Sequence, residues 1–231
     1  MLVRKGKSGG SLVYLTRRSA TARFMPGAYV FPGGTVDEAD RSPESLERVT
    51  GSVAGIEAPF AIAALRELFE EAGVLVACDA AGLPAIVGPE RLAAMRAMLG
   101  EGKPLARLLA EAELFLDARE LVYYSNWITP EFEPLRFDTH FFIATAPDGQ
   151  IASADAIEVH DGAWLAPREA LARGERGELR IMFPTRKHLE RLAAYDSIDA
   201  LLAHARERSV APITPFMRDG AIELTAAGEA W

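Results

Sequence analysis

The sequence predicts a mixed α/β or α+β fold in a single domain that spans residues 1–231. Short runs rich in apolar and aromatic residues alternate with stretches of helical spacing, which is typical of a sheet packed against helices. The composition, 49% hydrophobic and 25% charged, is that of an ordinary globular protein. A chain of 231 residues is long enough to form one large domain that carries a sizeable insertion.

The individual elements follow from local composition and periodicity. The predicted strands cover residues 11–16, 29–31, 120–128, 137–146 and 159–165. The predicted helices cover residues 59–72, 168–172, 185–194 and 198–206. Pro59 suits the first turn of its helix, and Gly73 is a helix stop.

Two insertions are expected, at about 41–58 and 88–118. The first lies in a polar stretch, 37–58, that is predicted to be a loop or a short helix. The second has helical spacing over 89–99 and 104–116 and is predicted to be a pair of helices. This pair could cap a substrate, form a homodimer interface or simply pack on the domain. The tail, 221–231, is expected to be ordered only if it docks.

Charge and composition exclude several classes of function. The net charge of -8 disfavours binding to nucleic acid through bulk charge. No apolar run approaches the roughly 20 residues that a membrane-spanning helix needs, and basic residues within 4–7 interrupt any signal-peptide core. A single cysteine, Cys78, fits a reducing compartment, so the protein is expected to be cytoplasmic. A polyanionic substrate would then need a local basic patch, a metal ion, or both.

The helix predicted at 59–72 gathers three carboxylates on one face. With about 100° per residue, Glu70 and Glu71 lie on either side of Glu67, and the three span about 100°. The apolar residues fall on the opposite side, so that one face is buried: Ala61, Ile62, Leu65, Leu68, Phe69 and Ala72. A solvated polar face is the ordinary interpretation of such a pattern.

Electrostatics argues against that ordinary interpretation here. Like charges three and four residues apart on a helix repel by roughly 0.2–0.5 kcal/mol per pair. These acids also lie in the last turn before Gly73, where the helix dipole disfavours anions, and no lysine or arginine follows at 74 or 75. Because a hard cation such as Mg²⁺ prefers carboxylate oxygens, the pattern predicts a metal site.

Residues 66–74 read R-E-L-F-E-E-A-G-V. They match every fixed position of R-E-U-x-E-E-x-G-U, the second half of the Nudix box, in which U is a bulky aliphatic residue. Upstream, residues 31–34 read F-P-G-G and resemble the start of the box, with Gly34 as the box glycine. The sequence therefore resembles the Nudix hydrolases. This resemblance implies a Nudix fold, in which a mixed β-sheet is sandwiched between helices, and hydrolysis of a phosphoanhydride bond.

The first half of the box departs from the pattern. The residue six positions after Gly34 is Asp40 rather than a glutamate, and 25 residues separate it from Arg66 where the box has seven. The role of Asp40 is therefore left open. A box split in this way resembles the coenzyme A diphosphatases of the peroxisomal type and their bacterial relatives.

A second signature of that branch precedes the box. It runs L-L-T-x-R-(S/A), then R, G and F-P-G-G at fixed spacings, and residues 14–34 match it apart from Tyr14 in place of the first leucine. The branch usually opens with a full strand before this signature. Only residues 1–4 are available for it here, so we expect either that this strand is short or that the start codon is misassigned.

The resemblance also implies the ligands of the metal site. Glu67 and Glu71, with Glu70 close by and the backbone carbonyl of Gly33, are expected to hold Mg²⁺ or Mn²⁺. The ion would bridge diphosphate oxygens and lower the pKa of a bound water. Arg66 is expected to orient a helix carboxylate through a charge-assisted hydrogen bond.

The remaining roles concern proton transfer and substrate binding. Glu70 or Glu71 is expected to accept the proton of the attacking water, and the loop acid Glu158 is the alternative. Arg18 and Arg23 are candidates for gripping phosphate, since guanidinium groups suit phosphate geometry. Gly34 would let the backbone approach the substrate closely.

Three hypotheses about function remain. The leading one is hydrolysis of coenzyme A or acyl-coenzyme A to 3′,5′-ADP and (acyl-)4′-phosphopantetheine. The second keeps the chemistry but takes NADH, ADP-ribose or another nucleoside diphosphate derivative as the substrate. The third is a non-catalytic binding module of the same fold, although such modules typically lose the paired glutamates that this chain keeps. No nucleic-acid or membrane partner is expected, and a homodimer stays open.

Overall fold

The computed structural model describes residues 1–6, 10–22, 25–225 and 228. The strands, in chain order, are β1 Leu2–Lys5, β2 Ser11–Arg18, β3 Tyr29–Val30, β4 Val49–Thr50, β5 Ala77–Cys78, β6 Phe115–Asp117, β7 Val122–Ile128, β8 Asp138–Thr145, β9 Val159–Leu165, β10 Pro212–Ile213, β11 Phe216–Arg218 and β12 Ala221–Glu223. The helices are α1 Pro43–Leu46, α2 Ala58–Ala72, α3 Pro89–Gly100, α4 Leu105–Ala112, α5 Pro167–Glu175, α6 Phe183–Leu192 and α7 Ile198–Glu207. Short 3-10 helices cover Glu38–Arg41 and Ala118–Glu120.

The main sheet is mixed and has the strand order β10-β7-β8-β1-β2-β3, with β9 also paired to β2. Strand β1 runs parallel to β8 and antiparallel to β2. It is short, as the sequence predicts, yet it lies in the middle of the sheet. Its residues Leu2 and Val3 are buried, so this strand connects the two halves of the fold.

Helices cover both faces of this sheet, which confirms the predicted class. Successive side chains of a strand point to opposite faces. In β8, Phe142 and Ala144 therefore join the core that contains Leu65 and Phe69 of α2. Ile143 joins the second core, which contains Leu189 of α6 together with residues of α5 and α7. Of the helices in the described ranges, none has both the length and the apolar character needed to cross a membrane.

The two insertions meet in a small sheet of their own, with the order β4-β6-β5. Strand β4, from the first insertion, pairs in parallel with β6, from the end of the second. The prediction of a helix over 104–116 is wrong at its end, because α4 ends at Ala112 and Glu113 adopts a left-handed conformation with φ 58°. Leu116 is instead a buried strand residue, held between Val49 and Ala77.

Most other elements lie within a few residues of their predicted bounds. Local sequence patterns do not predict the two- and three-residue strands, which are β4, β5, β6, β10, β11 and β12. Within the tail, β12 pairs antiparallel with β11. Residues 226–227 and 229–231 lie outside the described residues.

Candidate active site

Helix α2 carries the predicted carboxylates. It has a proline in its first turn and ends at Gly73, whose left-handed conformation, with φ 68°, lets its N–H bond to the carbonyl of Phe69. The apolar face is fixed in the first core by side chains such as Leu65 and Phe69, which are fully buried. The carboxylates of Glu67, Glu70 and Glu71 thus take the opposite face, as the wheel predicts.

Arg66 forms a buried hydrogen-bonded network at the centre of this face. Its Nε and Nη2 donate to the two carboxylate oxygens of Asp40, at 2.9 and 3.0 Å. Nη1 donates to Glu67 Oε1 at 2.9 Å and to Glu70 Oε2 at 2.7 Å. Nη2 also donates to the carbonyl of Thr35 at 2.8 Å. One guanidinium therefore holds two helix carboxylates and the segment that follows the F-P-G-G turn.

The structure assigns Asp40 the partnership with Arg66 that the sequence left open. Asp40 is 2% exposed and lies in the 3-10 helix Glu38–Arg41, where its Oδ2 accepts the backbone N–H of Asp37 at 2.8 Å. The first insertion starts just after this residue and ends where α2 begins. The additional residues between Asp40 and Arg66 therefore loop out without separating the two side chains.

The F-P-G-G turn, residues 31–34, packs directly against the carboxylates. The backbone N–H of Gly33 donates to Glu71 Oε2 at 2.9 Å. A Cβ atom placed on Gly34 would lie 2.3 Å from Glu67 Oε1, so a side chain at this position would displace the Glu67 carboxylate. Phe31 anchors the turn from the other side by packing edge-on against Phe141.

Burial dominates the electrostatics of these acids. It raises the pKa of Glu67 to about 7 and that of Glu71 to about 8, although Arg66 and the Gly33 N–H respectively act in the opposite direction. Burial also raises the pKa of Glu70. The cost of burying these carboxylates as anions is therefore only partly offset by Arg66 and by the Gly33 N–H.

The donor set fits a hard divalent cation. It consists of carboxylate oxygens that are partly buried and lie next to Gly34, where a Cβ would collide with the carboxylate of Glu67. Over the described ranges, however, no three acidic, histidine or cysteine side chains already converge on one ion position. The reason is local, since Glu67 and Glu70 are turned towards Arg66 and Glu71 towards Gly33.

A basic residue other than Arg66 compensates the carboxyl-terminal end of α2, although no lysine or arginine follows at positions 74 or 75. Arg96 of α3 donates from Nε to the carbonyl of Glu70 at 2.8 Å. The residue comes from the second insertion and not from positions 74 or 75, so the sequence around α2 does not reveal this contact. The metal argument therefore rests on the crowded carboxylates, and less on the helix dipole.

The loop between β8 and β9, residues 146–158, brings two more acids to this site. The carboxylate of Asp155 accepts the backbone N–H groups of Ile157, Glu158 and Val159, which fixes the turn. The exposed Glu158 is close enough for its charge, after burial and Glu70, to help raise the pKa of Glu67. The predicted alternative base therefore lies on the same side of α2 as the helix carboxylates.

Of the two predicted phosphate-binding arginines, Arg18 ends strand β2 on this side of the molecule. Its charge partly offsets the effect of burial on the pKa of Glu71, which places the two side chains near each other. Arg23 lies outside the described residues.

The arrangement can now be compared with known proteins. Residues 47–192 match the family model described as the NUDT19 Nudix domain, which covers more than half of the chain and all of α2. The chain belongs to the Nudix hydrolase family. The match begins after Gly33, Gly34 and Asp40, so the geometry above is what connects these residues to the Nudix helix.

The relatives and a solved structure agree with this assignment. The human protein named acyl-coenzyme A diphosphatase NUDT19 is 27% identical, in an alignment that covers 95% of this chain and 72% of the human one. A putative nudix hydrolase 7 from Caenorhabditis elegans is 29% identical over 78% of this chain, and the match spans only 55% of the nematode protein. The crystal structure of a Nudix hydrolase from Alicyclobacillus acidocaldarius superposes with a TM-score of 0.76 at 30% identity, covering 87% of this chain and 92% of the bacterial one.

Proposed function

We propose that this Nudix hydrolase cleaves the phosphoanhydride bond of coenzyme A or acyl-coenzyme A and releases 3′,5′-ADP and (acyl-)4′-phosphopantetheine. The observation that carries the chemistry is the pair Glu67 and Glu71, packed against the backbone of Gly33 and Gly34. The substrate class is supported by the names of relatives from human, chicken and frog, each called an acyl-coenzyme A diphosphatase. The signature over residues 14–34 supports the same class.

Glu67 and Glu71 would hold Mg²⁺ or Mn²⁺, with Glu70 and the Gly33 carbonyl as further oxygens. A divalent cation bound there supplies charge neutralisation for the diphosphate and lowers the pKa of a coordinated water. Arg66 donates hydrogen bonds to the carboxylates of Glu67 and Glu70, so the orientation of both groups is fixed before substrate binds.

Hydrolysis itself requires one water and one proton acceptor. The water oxygen forms a bond to one phosphorus as the bridging P–O bond breaks, and the leaving phosphate departs with the electron pair. We assign the acceptor of the water's proton to Glu70 or Glu71, with Glu158 as the alternative, because these carboxylates lie on the same side of the site.

Substrate phosphates would be bound by the basic groups beside the acids. Arg18 is near Glu71, so a guanidinium there can contact a diphosphate that reaches the carboxylates. Arg23 is proposed as a second phosphate contact from its place in the signature. Gly34 leaves the backbone open to the reacting groups.

A substrate panel tests the proposal. Coenzyme A, an acyl-coenzyme A, dephospho-coenzyme A, NADH and ADP-ribose are compared at equal concentration with Mg²⁺ and with Mn²⁺. We expect the highest kcat/KM for coenzyme A or its thioester. Faster turnover of NADH or ADP-ribose with no cleavage of coenzyme A would contradict the substrate assignment. The absence of turnover on every compound would favour a non-catalytic module.

A further inference from the structure

We propose that Arg96, on the inserted helix α3, is a positioning residue for the hydrolysis proposed above, on which this inference rests. Arg96 fixes the carboxyl-terminal end of α2 and the loop at 146–158 in one arrangement. The acids of the helix and those of the loop then face a common volume. The inserted helices thereby act on the site without touching the substrate.

Arg96 contacts the carboxyl-terminal end of α2. The last carbonyl groups of a helix have no partner within the helix. The carbonyl of Phe69 accepts the N–H of Gly73, and the carbonyl of Ala72 accepts the N–H of Ser153. The carbonyl of Glu70 lies between them in the sequence and accepts from Arg96 Nε at 2.8 Å. Arg96 therefore holds the backbone of one of the site glutamates.

Arg96 also contacts the loop. Arg96 Nη1 donates to Ser153 Oγ at 3.2 Å, so one guanidinium bridges the helix end and the loop. Gln150 adds a separate pair of 2.8 Å hydrogen bonds to the backbone of Leu75. Two residues after Ser153, Asp155 fixes the turn that carries Glu158. Through Ser153, Arg96 therefore helps to fix the positions of the loop acids.

Gly73 is a fixed glycine of the Nudix box. Its left-handed conformation already favours glycine. A Cβ on Gly73 would also lie 2.9 Å from Arg96 Nη1 and 3.4 Å from its central carbon. In this chain the same glycine both ends α2 and makes room for the guanidinium.

The environment of Arg96 indicates a role beyond ordinary packing. Burial lowers the pKa of Arg96, and the charges of Asp155 and Glu71 act against that effect. Its Nη2 is buried and has no hydrogen-bond partner among the residues that the structure describes. A guanidinium held in this costly position is compensated by the acids of the site, which connects its placement to theirs.

The test compares Arg96→Met, Arg96→Lys and a matched control, Arg91→Met, which changes an exposed arginine of the same helix. Each full-length variant is measured for kcat and KM, for Mn²⁺ affinity by electron paramagnetic resonance, and for hydrogen exchange over residues 146–158. Thermal unfolding midpoints are recorded in parallel.

We expect kcat of Arg96→Met to fall about 10- to 100-fold while KM changes little, as is typical when a group that orients metal ligands is lost. Mn²⁺ affinity should fall and exchange in the loop should rise. Arg96→Lys should recover part of kcat, because an ammonium can reach one acceptor but not bridge both. Arg91→Met should match the unmodified protein. Unchanged kcat and Mn²⁺ affinity in Arg96→Met would overturn the inference.

A second variant covers the case in which Arg96→Met does not fold. Ser153→Ala removes one acceptor of Arg96 but keeps the backbone N–H that bonds to Ala72. It should lower kcat and raise hydrogen exchange in the loop at an unchanged unfolding midpoint. Unchanged kcat and unchanged loop exchange would overturn the inference.

Failure of the proposed substrate is distinguishable from failure of this inference. If coenzyme A is not cleaved but another diphosphate is, the variants are compared on that compound. If no compound is cleaved, Mn²⁺ affinity and loop exchange decide. Equal values in Arg96→Met and the unmodified protein would then overturn the positioning role.

Discussion

Two buried polar centres lie on either side of the F-P-G-G turn. One is built around a charged side chain and the other around a neutral one. On the α2 side, the charged Arg66 contacts Asp40, Glu67 and Glu70, and Glu71 lies beside it. On the other side, His188 is fully buried and its ring packs against Phe31 and Phe141.

The second centre is neutral. Nδ1–H of His188 donates to the carbonyl of Pro184 at 2.7 Å, and Nε2 accepts from the hydroxyl of Ser125 at 2.7 Å. Burial lowers the pKa of His188 to about 3, so the ring carries no charge at neutral pH. Each of its nitrogens has a partner and no charge needs compensation.

This difference supports the proposal that the first centre is functional and the second is structural. The single guanidinium of Arg66 faces more acids than it can neutralise, whereas His188 is satisfied by two neutral groups. Perturbed acids that remain undercompensated in a cleft are typical of catalytic and metal sites. Several buried acids gathered around one guanidinium, next to the F-P-G-G turn, therefore support the proposed site on the α2 side.

The largest effect is expected for the carboxylates themselves. Glu71→Gln keeps an acceptor for the Gly33 N–H but removes a charge that would hold the cation. We expect kcat/KM to fall about 10³-fold, which corresponds to about 4 kcal/mol. Steady-state kinetics at saturating Mg²⁺ measure this change, with the exposed Glu90→Gln on α3 as the control. Equal losses in the two variants would contradict the site assignment.

The next effect concerns the buried partner of Arg66. Asp40→Asn removes the charge that neutralises a buried guanidinium and should lower the free energy of unfolding by about 3 kcal/mol. Asp37 is the matched control, because it contacts the same guanidinium at 3.6 Å with its side chain 60% exposed. Asp37→Asn should cost less than about 1 kcal/mol in urea unfolding. If both cost the same, Asp40 is not the structural partner described here.

The neutral centre predicts a pH dependence. The pKa of His188 is near 6.5 when unfolded and about 3 when folded, so the unfolded chain takes up a proton first as pH falls. The contribution of neutral His188 to the free energy of unfolding is therefore lost progressively below pH 6.5, by about 2 kcal/mol at pH 5. In urea unfolding at pH 7 and 5, His188→Gln should lose less stability than the unmodified protein. The exposed His204→Gln should keep the original slope.

The smallest effect tests the undercompensated charge without substrate. In metal-free buffer at pH 8, Glu67→Gln should raise the free energy of unfolding by about 1 kcal/mol, because it removes a buried charge whose desolvation Arg66 offsets only in part. Adding Mg²⁺ should stabilise the unmodified protein more than the variant. Thermal unfolding with and without the ion measures both, and an equal shift in the two proteins would argue against binding at this face.

Much of this site could be predicted from the sequence because its acids lie within one helix, α2, where residue spacing alone decides which face each side chain takes. The spacing of Glu67, Glu70 and Glu71 fixes their common face, and the periodicity of Leu65 and Phe69 fixes the buried one. The layered fold follows in the same way from strands and helices of ordinary length. Pairing of the short strands β4, β5 and β6 depends instead on which segments meet in space, and no local periodicity encodes that.

The partners of the helix were harder to predict for the same reason. Asp40 lies 26 positions from Arg66 in the chain, and the insertion between them obscured a contact that only the fold brings together. Arg96 did leave a signal, because it lies four residues after the buried Leu92 and so on the inner face of α3. A charged residue at such a position needs a partner, but the sequence did not indicate that the partner is the end of α2.

One measurement tests the central claim most directly: identification by mass spectrometry of the products formed from an acyl-coenzyme A, with Mg²⁺ or with EDTA, by the unmodified protein and by Glu67→Gln. Cleavage to 3′,5′-ADP and acyl-4′-phosphopantetheine should require both the cation and Glu67. Undiminished cleavage by Glu67→Gln, or in EDTA, would contradict a metal-dependent site on α2.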